Sequence, residues 1–331
     1  MTPPLLAFIT PMRDWAIEAP LLHTPTIELR DHELRATLLG PGYTYLCPEV
    51  AIPTERWHGL TRWQQDECRI RAATLSTSKA ILVGRSAARV YGIPVIGSGH
   101  DVELNLPSRR SRRPRHEWPP KFHYRASVLR PIDLDTFNGL RVTNVYRTVI
   151  DVARLHGLVE GIVAFDALLA LEKVTRAEVE KALALMKGVP GIRTARRAFE
   201  LADPRSESPL ESWGRAQILA ADIPELESLQ VQVDVLGGDH RVDLLLNGRT
   251  VCELHGDIKY DGSTGTPPVE QMKKDRRRER RIQNAGHPLI HADYADLATT
   301  VGNQSRFVGM VRESLAATAL SDSSRRLVSG G

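Results

Sequence analysis

Between residues 241 and 255 the chain places two strongly apolar β-type runs, Arg241–Leu246 and Thr250–His255, on either side of a short turn, Asn247-Gly248-Arg249. Each run carries one acid: Asp243 in Val-Asp-Leu-Leu-Leu and Glu253 in Val-Cys-Glu-Leu. Strands this apolar are buried on both faces, where an ionised carboxylate is costly unless it is paired or holds a cation. Turn length decides what the two acids do. A three-residue loop pairs Leu246 with Thr250 and, counting back, Asp243 with Glu253, with Cβ atoms about 5 Å apart. A two-residue loop shifts the register by one and sends the acids to opposite faces. In the first register the carboxylates repel unless something neutralises them, and a hard divalent cation on oxygen ligands does so.

Other polar residues flank this pair. His255 lies two residues beyond Glu253, on the same face, suited to act as a ligand or an acid/base. Lys259 follows Gly256 and is close enough to stabilise charge on a phosphate. Glu211 projects from a helix whose start, Ser208-Pro209-Leu210-Glu211, has Ser at N-cap, Pro at N1 and Glu at N3; Glu211 is equally explained as the capping-box partner of Ser208. The candidate catalytic set is therefore Glu211, Asp243, Glu253, His255 and Lys259, with Asp243 and Glu253 as ligands of Mg²⁺ or Mn²⁺. In such a set the metal generates hydroxide and shields the phosphate, and a cationic side chain stabilises the developing charge.

The order of elements frames these residues. A helix from Ser208 to about residue 221 precedes three β-type runs (Leu229–Leu236, Arg241–Leu246, Thr250–His255), a charged helix over Val269–Ala285, a strand over Pro288–Ala292 and a closing helix over Asp296–Leu320. This α-β-β-β-α pattern predicts one domain over 205–320, set off by the polar linker Asp203-Pro-Arg-Ser-Glu-Ser-Pro, with a disordered tail at 321–331. Upstream, residues 1–75 read as a small mixed module compatible with a winged helix, with helical signal near Arg13–Leu22 and Gln64–Leu75 and a strand after Gly40-Pro-Gly. Residues 76–203 read as a mixed α/β region ending in helices. It has a short helix at Ser86 stopped by Gly92-Ile93-Pro94, and strands at Val102–Leu106, His123–Leu129 and Leu140–Thr143. Helical spacing then runs from Val145 to Glu172 with breaks at Gly157 and Gly161, and Thr175–Glu178 forms a capping box. Arg147 and Asp151, one helical turn apart, are expected to form a surface ion pair worth a few tenths of a kcal/mol. The fold class is α/β in the broad sense, α+β in arrangement.

Composition narrows the function classes. At 331 residues the chain has room for about two domains, and 42% hydrophobic with 25% charged residues excludes collagen-like, disulfide-scaffold and wholly disordered chains. No apolar run approaches the ~18 residues a membrane span needs, the start lacks a secretory pattern, and three dispersed cysteines fit a reducing cytoplasm. Net charge is 44 − 40 = +4, a mild value, but the cations cluster. Arg109, Arg110, Arg112, Arg113 and Arg115 share a proline-broken loop, and Lys273, Lys274, Arg277, Arg278 and Arg281 share a helix. Such clusters fit DNA, met at the phosphates without reading sequence; a solvated face explains either one equally well.

Two family resemblances follow from these residues. Ser208-Pro-Leu-Glu211-Ser-x-x-Arg215, Val242-Asp243-Leu244, Glu253-Leu-His-Gly256-Asp257-x-Lys259-Tyr260 and Lys274 through Gly286 resemble a C-terminal nuclease-like domain common in actinobacterial proteins, which is similar to the very-short-patch mismatch-repair endonucleases. The resemblance covers residues 205–300 and implies a restriction-endonuclease-like fold and Mg²⁺-dependent cutting of DNA. Where the actinobacterial domain usually reads Glu-x-Asp-Gly, His255-Gly256 looks like the mismatch endonucleases, in which a histidine assists cleavage; His291 stands where relatives usually carry an arginine. Upstream, Ser86-Ala87-Ala88 with Tyr91-Gly92-Ile93-Pro94, and Val142-Thr143 with Arg147-Thr-Val-Ile-Asp-Val-Ala153, resemble the abortive-infection AbiE-type antitoxins over residues 25–200. That resemblance implies a DNA-binding repressor, a cognate toxin as partner and a role in phage defence. The expectation is a DNA endonuclease whose upstream part supplies contacts or control. The alternatives are a non-catalytic DNA-binding regulator or antitoxin, and a defence protein whose basic segments bind an acidic partner. The sequence does not fix an oligomeric state.

Overall fold

The structure, a computed structural model, describes residues 21–27, 36–38, 40–77, 79–106, 114–171, 174–256 and 268–329 (backbone alone at 268–275 and 321–329). The chain is mixed α+β and divides into two compact units, residues 1–199 and 200–331.

In the first unit β1 (Leu22–His23), β2 (Tyr43–Cys47) and β3 (Val50–Pro53) form an antiparallel sheet in the order β1-β3-β2. The aromatic and β-branched residues after Gly40-Pro41-Gly42 favour this hairpin, and Val50, Ala51 and Ile52 are all buried. The helix expected over Arg13–Leu22 lies, up to residue 20, outside the described residues, and Leu22 belongs to β1. Next come α1 (Thr54–Gly59) and α2 (Arg62–Ser76), the latter opened by a Thr61–Gln64 capping box. A second, mixed sheet has the order β6-β5-β4-β8-β7. Its strands are β4 (Ile81–Leu82), β5 (Val102–Asn105), β6 (Phe122–Arg125), β7 (Leu134–Phe137) and β8 (Leu140–Thr143). Between β4 and β5 runs α3 (Gly84–Tyr91), which ends on Gly92 in the left-handed conformation, φ 77°.

The helical spacing from Val145 is broken once, at Gly157 (φ 99°), giving α4 (Val145–His156) and α5 (Leu158–Leu169). Gly161 does not break the helix as expected. It permits close packing instead, because a Cβ there would lie 2.6 Å from the Cβ of Ala153 and 2.9 Å from that of Ala198. The unit closes with α6 (Arg176–Leu185), capped by Thr175 and Glu178, and α7 (Ile192–Glu200).

The expected surface pair of Arg147 and Asp151 is corrected by burial: their side chains are 5% and 0% exposed. Arg147 bonds Asp151 at 2.9 Å and Asp133 at 3.1 Å, while Arg154 reaches Asp151 at 2.6 Å. Helical spacing gave the turn-to-turn contact correctly. It could not tell that the same side of α4 is covered by the segment leading into β7, where Asp133 sits.

The second unit runs α8 (Pro209–Ala220), β9 (Leu229–Val235), β10 (His240–Leu246), β11 (Thr250–His255), α9 (Pro268–Asn284) and β12 (Leu289–Asp293). The sheet order is β12-β11-β10-β9, with β12 parallel to β11 and the other pairs antiparallel. On one side α9 contributes Ile282 to a cluster with Val235, Val242, Leu245 and Val251. On the other, α8 packs so closely that a Cβ on Gly214 would lie 2.8 Å from the Leu254 Cδ1 and 3.4 Å from a Phe307 ring carbon.

The single closing helix expected from Asp296 is corrected to α10 (Tyr294–Ala298), a hairpin of β13 (Thr300–Val301) and β14 (Gln304–Ser305), and α11 (Arg306–Ser329). The β-branched Thr299-Thr300-Val301 and the turn at Gly302 (φ 66°) outweigh the helical pattern there. The tail from residue 321, expected to be disordered, continues α11 to Ser329. No Gly or Pro interrupts the chain between Gly309 and Gly330, and a nucleated helix gains one bond per added residue. Among the described residues no helix is long and apolar enough to cross a membrane, and Cys47, Cys68 and Cys252 are free and buried.

Candidate functional site

The β10–β11 hairpin takes the three-residue loop. Leu246 pairs with Thr250, Leu245 with Val251 and Leu244 with Cys252, while Asn247 (φ 51°) and Gly248 (φ 64°) turn the chain in the left-handed region. One further step in this register would set Asp243 against Glu253, a pair the sheet does not form. The regular pairing ends at Leu244–Cys252, and the Asp243 carboxylate takes the Leu254 N–H at 2.8 Å.

On the other side of Asp243, the β9–β10 pairing is regular at Val231–Leu244 and at Val233–Val242 but skips Gln232–Asp243. Gln232 is left-handed, φ 53°, a conformation costing a non-glycine residue about 1–3 kcal/mol. Residues three apart in an alternating strand point to opposite faces. Val242 and Leu245 nevertheless join the same cluster, so the alternation breaks between them while the β9–β10 register stays the same on both sides.

Glu211, in the first turn of α8, enters this break. Ser208 accepts from the Glu211 N–H at 3.2 Å, while the Glu211 carboxylate accepts from the Glu207 N–H at 2.8 Å and from the Gln232 amide at 2.8 Å. The same amide donates to Asp243 at 3.3 Å. Sequence reading missed Gln232. In Leu-Gln-Val-Gln-Val-Asp-Val it alternates outward like Gln230 and Asp234, and only the backbone outlier marks it.

Glu253 is 6% exposed. Its partner is Arg278, at 2.8 Å. Arg278 lies one turn before Ile282 on α9, so the helix face that covers the apolar cluster also lays a guanidinium over the acids. At the rim His255 and His291 stack with ring centroids 5.1 Å apart and share a 2.9 Å hydrogen bond, and His291 lies 3.5 Å from Glu279. Burial lowers the His291 pKa, against the pull of Glu279.

The electrostatics run one way. Burial pushes Glu253 up to about 7, and the charge of Asp243 adds to it while Arg278 opposes. Burial also raises Glu211, again with Asp243 adding, and raises Asp243 despite the Leu254 N–H. Burial thus raises all three acids at this end of the sheet, with the charge of Asp243 adding to it at Glu211 and Glu253. Among the described residues no three His, Cys, Asp or Glu side chains form a ready cage for a metal. The donor chemistry fits a hard cation held by two carboxylates, Asp243 and Glu253, with water completing its shell.

The other expected residues are placed as follows. Lys259 lies outside the described residues, as do Arg109, Arg110, Arg112 and Arg113; Arg115 is exposed in a short 3₁₀ turn of the first unit. Lys273 and Lys274 belong to α9, but their side chains are outside the described set. Arg277 is exposed on α9. Arg278, expected to face DNA, is turned onto Glu253, and Arg281 pairs with Asp239.

The first unit offers a cavity of about 320 Å³ between α4 and α6, but Arg130 on its wall is already paired with Asp133.

The chain is similar to uncharacterized proteins from two strains of Mycobacterium tuberculosis, each 26% identical over 241 residues, or 71% of this chain and 83% of the relative. No family model matches the chain, and no solved structure is a significant match.

Proposed function

We propose that the second unit is a divalent-cation-dependent phosphodiesterase that cuts DNA. The observation that carries this reading is the gathering of Glu211, Asp243 and Glu253 at one end of the sheet, with the Gln232 amide bonded to both Glu211 and Asp243 and the charge of Asp243 raising Glu211 and Glu253 beyond the effect of burial. The order of elements, with α8 ahead of the three antiparallel strands and α9 after them, supports the resemblance to the mismatch-repair endonucleases. Asp243 and Glu253 would hold Mg²⁺ or Mn²⁺. Bound there, the ion supplies positive charge that polarises the scissile phosphate and acidifies the attacking water. His255, at the rim beside Asp243, is placed to take or give a proton, with His291 fixing its ring. Arg278 balances Glu253, and the exposed Arg277 is suited to a DNA phosphate. Lys259 follows in sequence as a further cation for the phosphate.

The AbiE resemblance of residues 25–200 supports a DNA-contacting or controlling part and a phage-defence setting, with a toxin as a further partner. Three free buried cysteines suit a cytoplasmic protein. One observation favours the second reading, a non-catalytic DNA-binding regulator or antitoxin: Arg278 already neutralises part of the acid pair.

The test is cleavage of plasmid, mismatched duplex and single-stranded DNA by the purified chain with Mg²⁺ or Mn²⁺. Nicking that is lost in both Asp243→Ala and Glu253→Ala is expected. Intact DNA in every case, with salt-dependent binding that survives both substitutions, would favour the regulator.

A further inference from the structure

Gln232 has no role in the cutting scheme above, yet the backbone is distorted to present it. Regular pairs flank it on both sides, Val231–Leu244 and Val233–Val242, so the strand could continue without interruption. Instead Gln232 alone in β9 turns left-handed, φ 53°. Its neighbours in the outward row, Gln230 and Asp234, are exposed, whereas Gln232 is half-buried. The distortion withdraws a side chain that alternation would leave in water and spans two elements with it. Its amide nitrogen lies 2.8 Å from the Glu211 carboxylate on α8 and 3.3 Å from the Asp243 carboxylate on β10. Backbone strain held at such a point marks a position that the surroundings over-determine.

Resting on the reading of this unit as a cation-dependent nuclease, we propose that Gln232 is a positioning residue that ties Asp243 to Glu211 and so fixes the Asp243 carboxylate for the cation it would share with Glu253. Two carboxylates on separate elements push each other apart, and a charged bridge between them would compete with the ion that Asp243 is to bind. A neutral amide does neither: it donates to both oxygens, fixes their orientation, and carries no charge that a cation must displace. The hydrogen bond from the Leu254 N–H fixes the other Asp243 oxygen, so Asp243 is aligned from both sides. A glycine could adopt the same backbone without strain but would leave both acids unbridged. The left-handed residue is therefore explained by its side chain.

The test uses the full chain, wild type, Gln232→Met and Gln232→Gly, with three readouts: Mn²⁺ titrated calorimetrically into metal-free protein, the melting temperature, and steady-state nicking of a plasmid. Methionine keeps the length of the side chain and removes the amide; glycine removes the side chain and relieves the backbone. Both variants are expected to bind Mn²⁺ about tenfold more weakly, the scale of one lost hydrogen bond to a charged group. Both should lose kcat with little change in KM for DNA, and Gln232→Gly should melt no lower than wild type. Wild-type Mn²⁺ affinity and kcat in the two variants would overturn the proposal, as would a loss confined to melting temperature. A wild-type chain that neither binds Mn²⁺ nor nicks DNA would overturn the nuclease reading and this proposal with it. The first failure is told apart from the second by an active wild type.

Discussion

Glu103 of β5 and Glu253 of β11 lie on inner strands of the two sheets and are comparably buried, 3% and 6% exposed. Their surroundings differ. Around Glu103 every polar feature points inward. It accepts from Arg125 at 2.8 Å, from the Arg85 N–H at 2.7 Å and lies 3.0 Å from the His156 ring nitrogen. Gly84 is left-handed and without a side chain where Glu103 crowds it. Burial alone would raise this carboxyl, but His156 and Arg125 bring it down to about 2. Glu253, raised by burial, has one cation, Arg278, and three acidic neighbours, Asp243, Glu211 and Glu279, and goes up to about 7. A buried acid whose charge is fully matched is part of the scaffold. One raised by burial with a single cation beside it is the kind of group found at functional sites, and on the reading proposed above a cation would complete it.

The largest test of this contrast is Glu103→Ala, which leaves Arg125 and His156 facing a vacated site. Breaking a buried ionic network from one side costs about 3–5 kcal/mol, and chemical denaturation followed by hydrogen exchange of the β5 amides would measure it. A change under about 1 kcal/mol would place Glu103 among surface-like pairs.

Glu253→Gln should have the opposite sign. Without added cation at pH 8 it is expected to stabilise the second unit, by at most about 3 kcal/mol for the difference between about 7 and the ordinary 4.5. Added Mn²⁺ should then stabilise wild type and not the variant. Equal destabilisation by the two glutamate substitutions would erase the contrast.

The pH dependence sharpens it further. Glu103 has a lowered pKa, so its contribution is present above about 4.5 and is lost as pH falls toward about 2. Glu253 has a raised pKa: the folded state binds its proton more tightly than the unfolded one, so its contribution is present below about 4.5 and is lost as pH rises through about 7. Exchange of β5 and β11 amides followed across pH 3 to 8 should move in opposite directions. The smallest effect belongs to Arg277→Ala, which should leave stability unchanged and reduce the salt dependence of DNA binding by a slope of about one. An unchanged slope would remove Arg277 from the DNA contacts.

Much of this geometry was legible in the sequence because it is local. The loop Asn247-Gly248-Arg249 fixes the register that pairs Leu246 with Thr250 and Leu244 with Cys252, and Ser208-Pro209 starts the helix that carries Glu211; the pairing of Asp243 with Glu253 that this register would give is not formed. What was not legible depends on contacts between distant segments. Arg278 reads as one of a run of cations until Ile282 anchors that face of α9 to the sheet. Arg147 and Asp151 read as a surface pair until Asp133 covers them. Gln232 obeys the alternation of β9 in sequence, and the break at Asp243 that turns it toward Glu211 is a property of two paired strands.

The most direct measurement is anomalous diffraction at the manganese edge from crystals of the chain grown with Mn²⁺. A manganese peak bridging Asp243 and Glu253, with Arg278 displaced from Glu253, is the expected result. Density showing Glu253 still bonded to Arg278 and no manganese at either acid would contradict the claim that this end of the sheet is built to receive a cation.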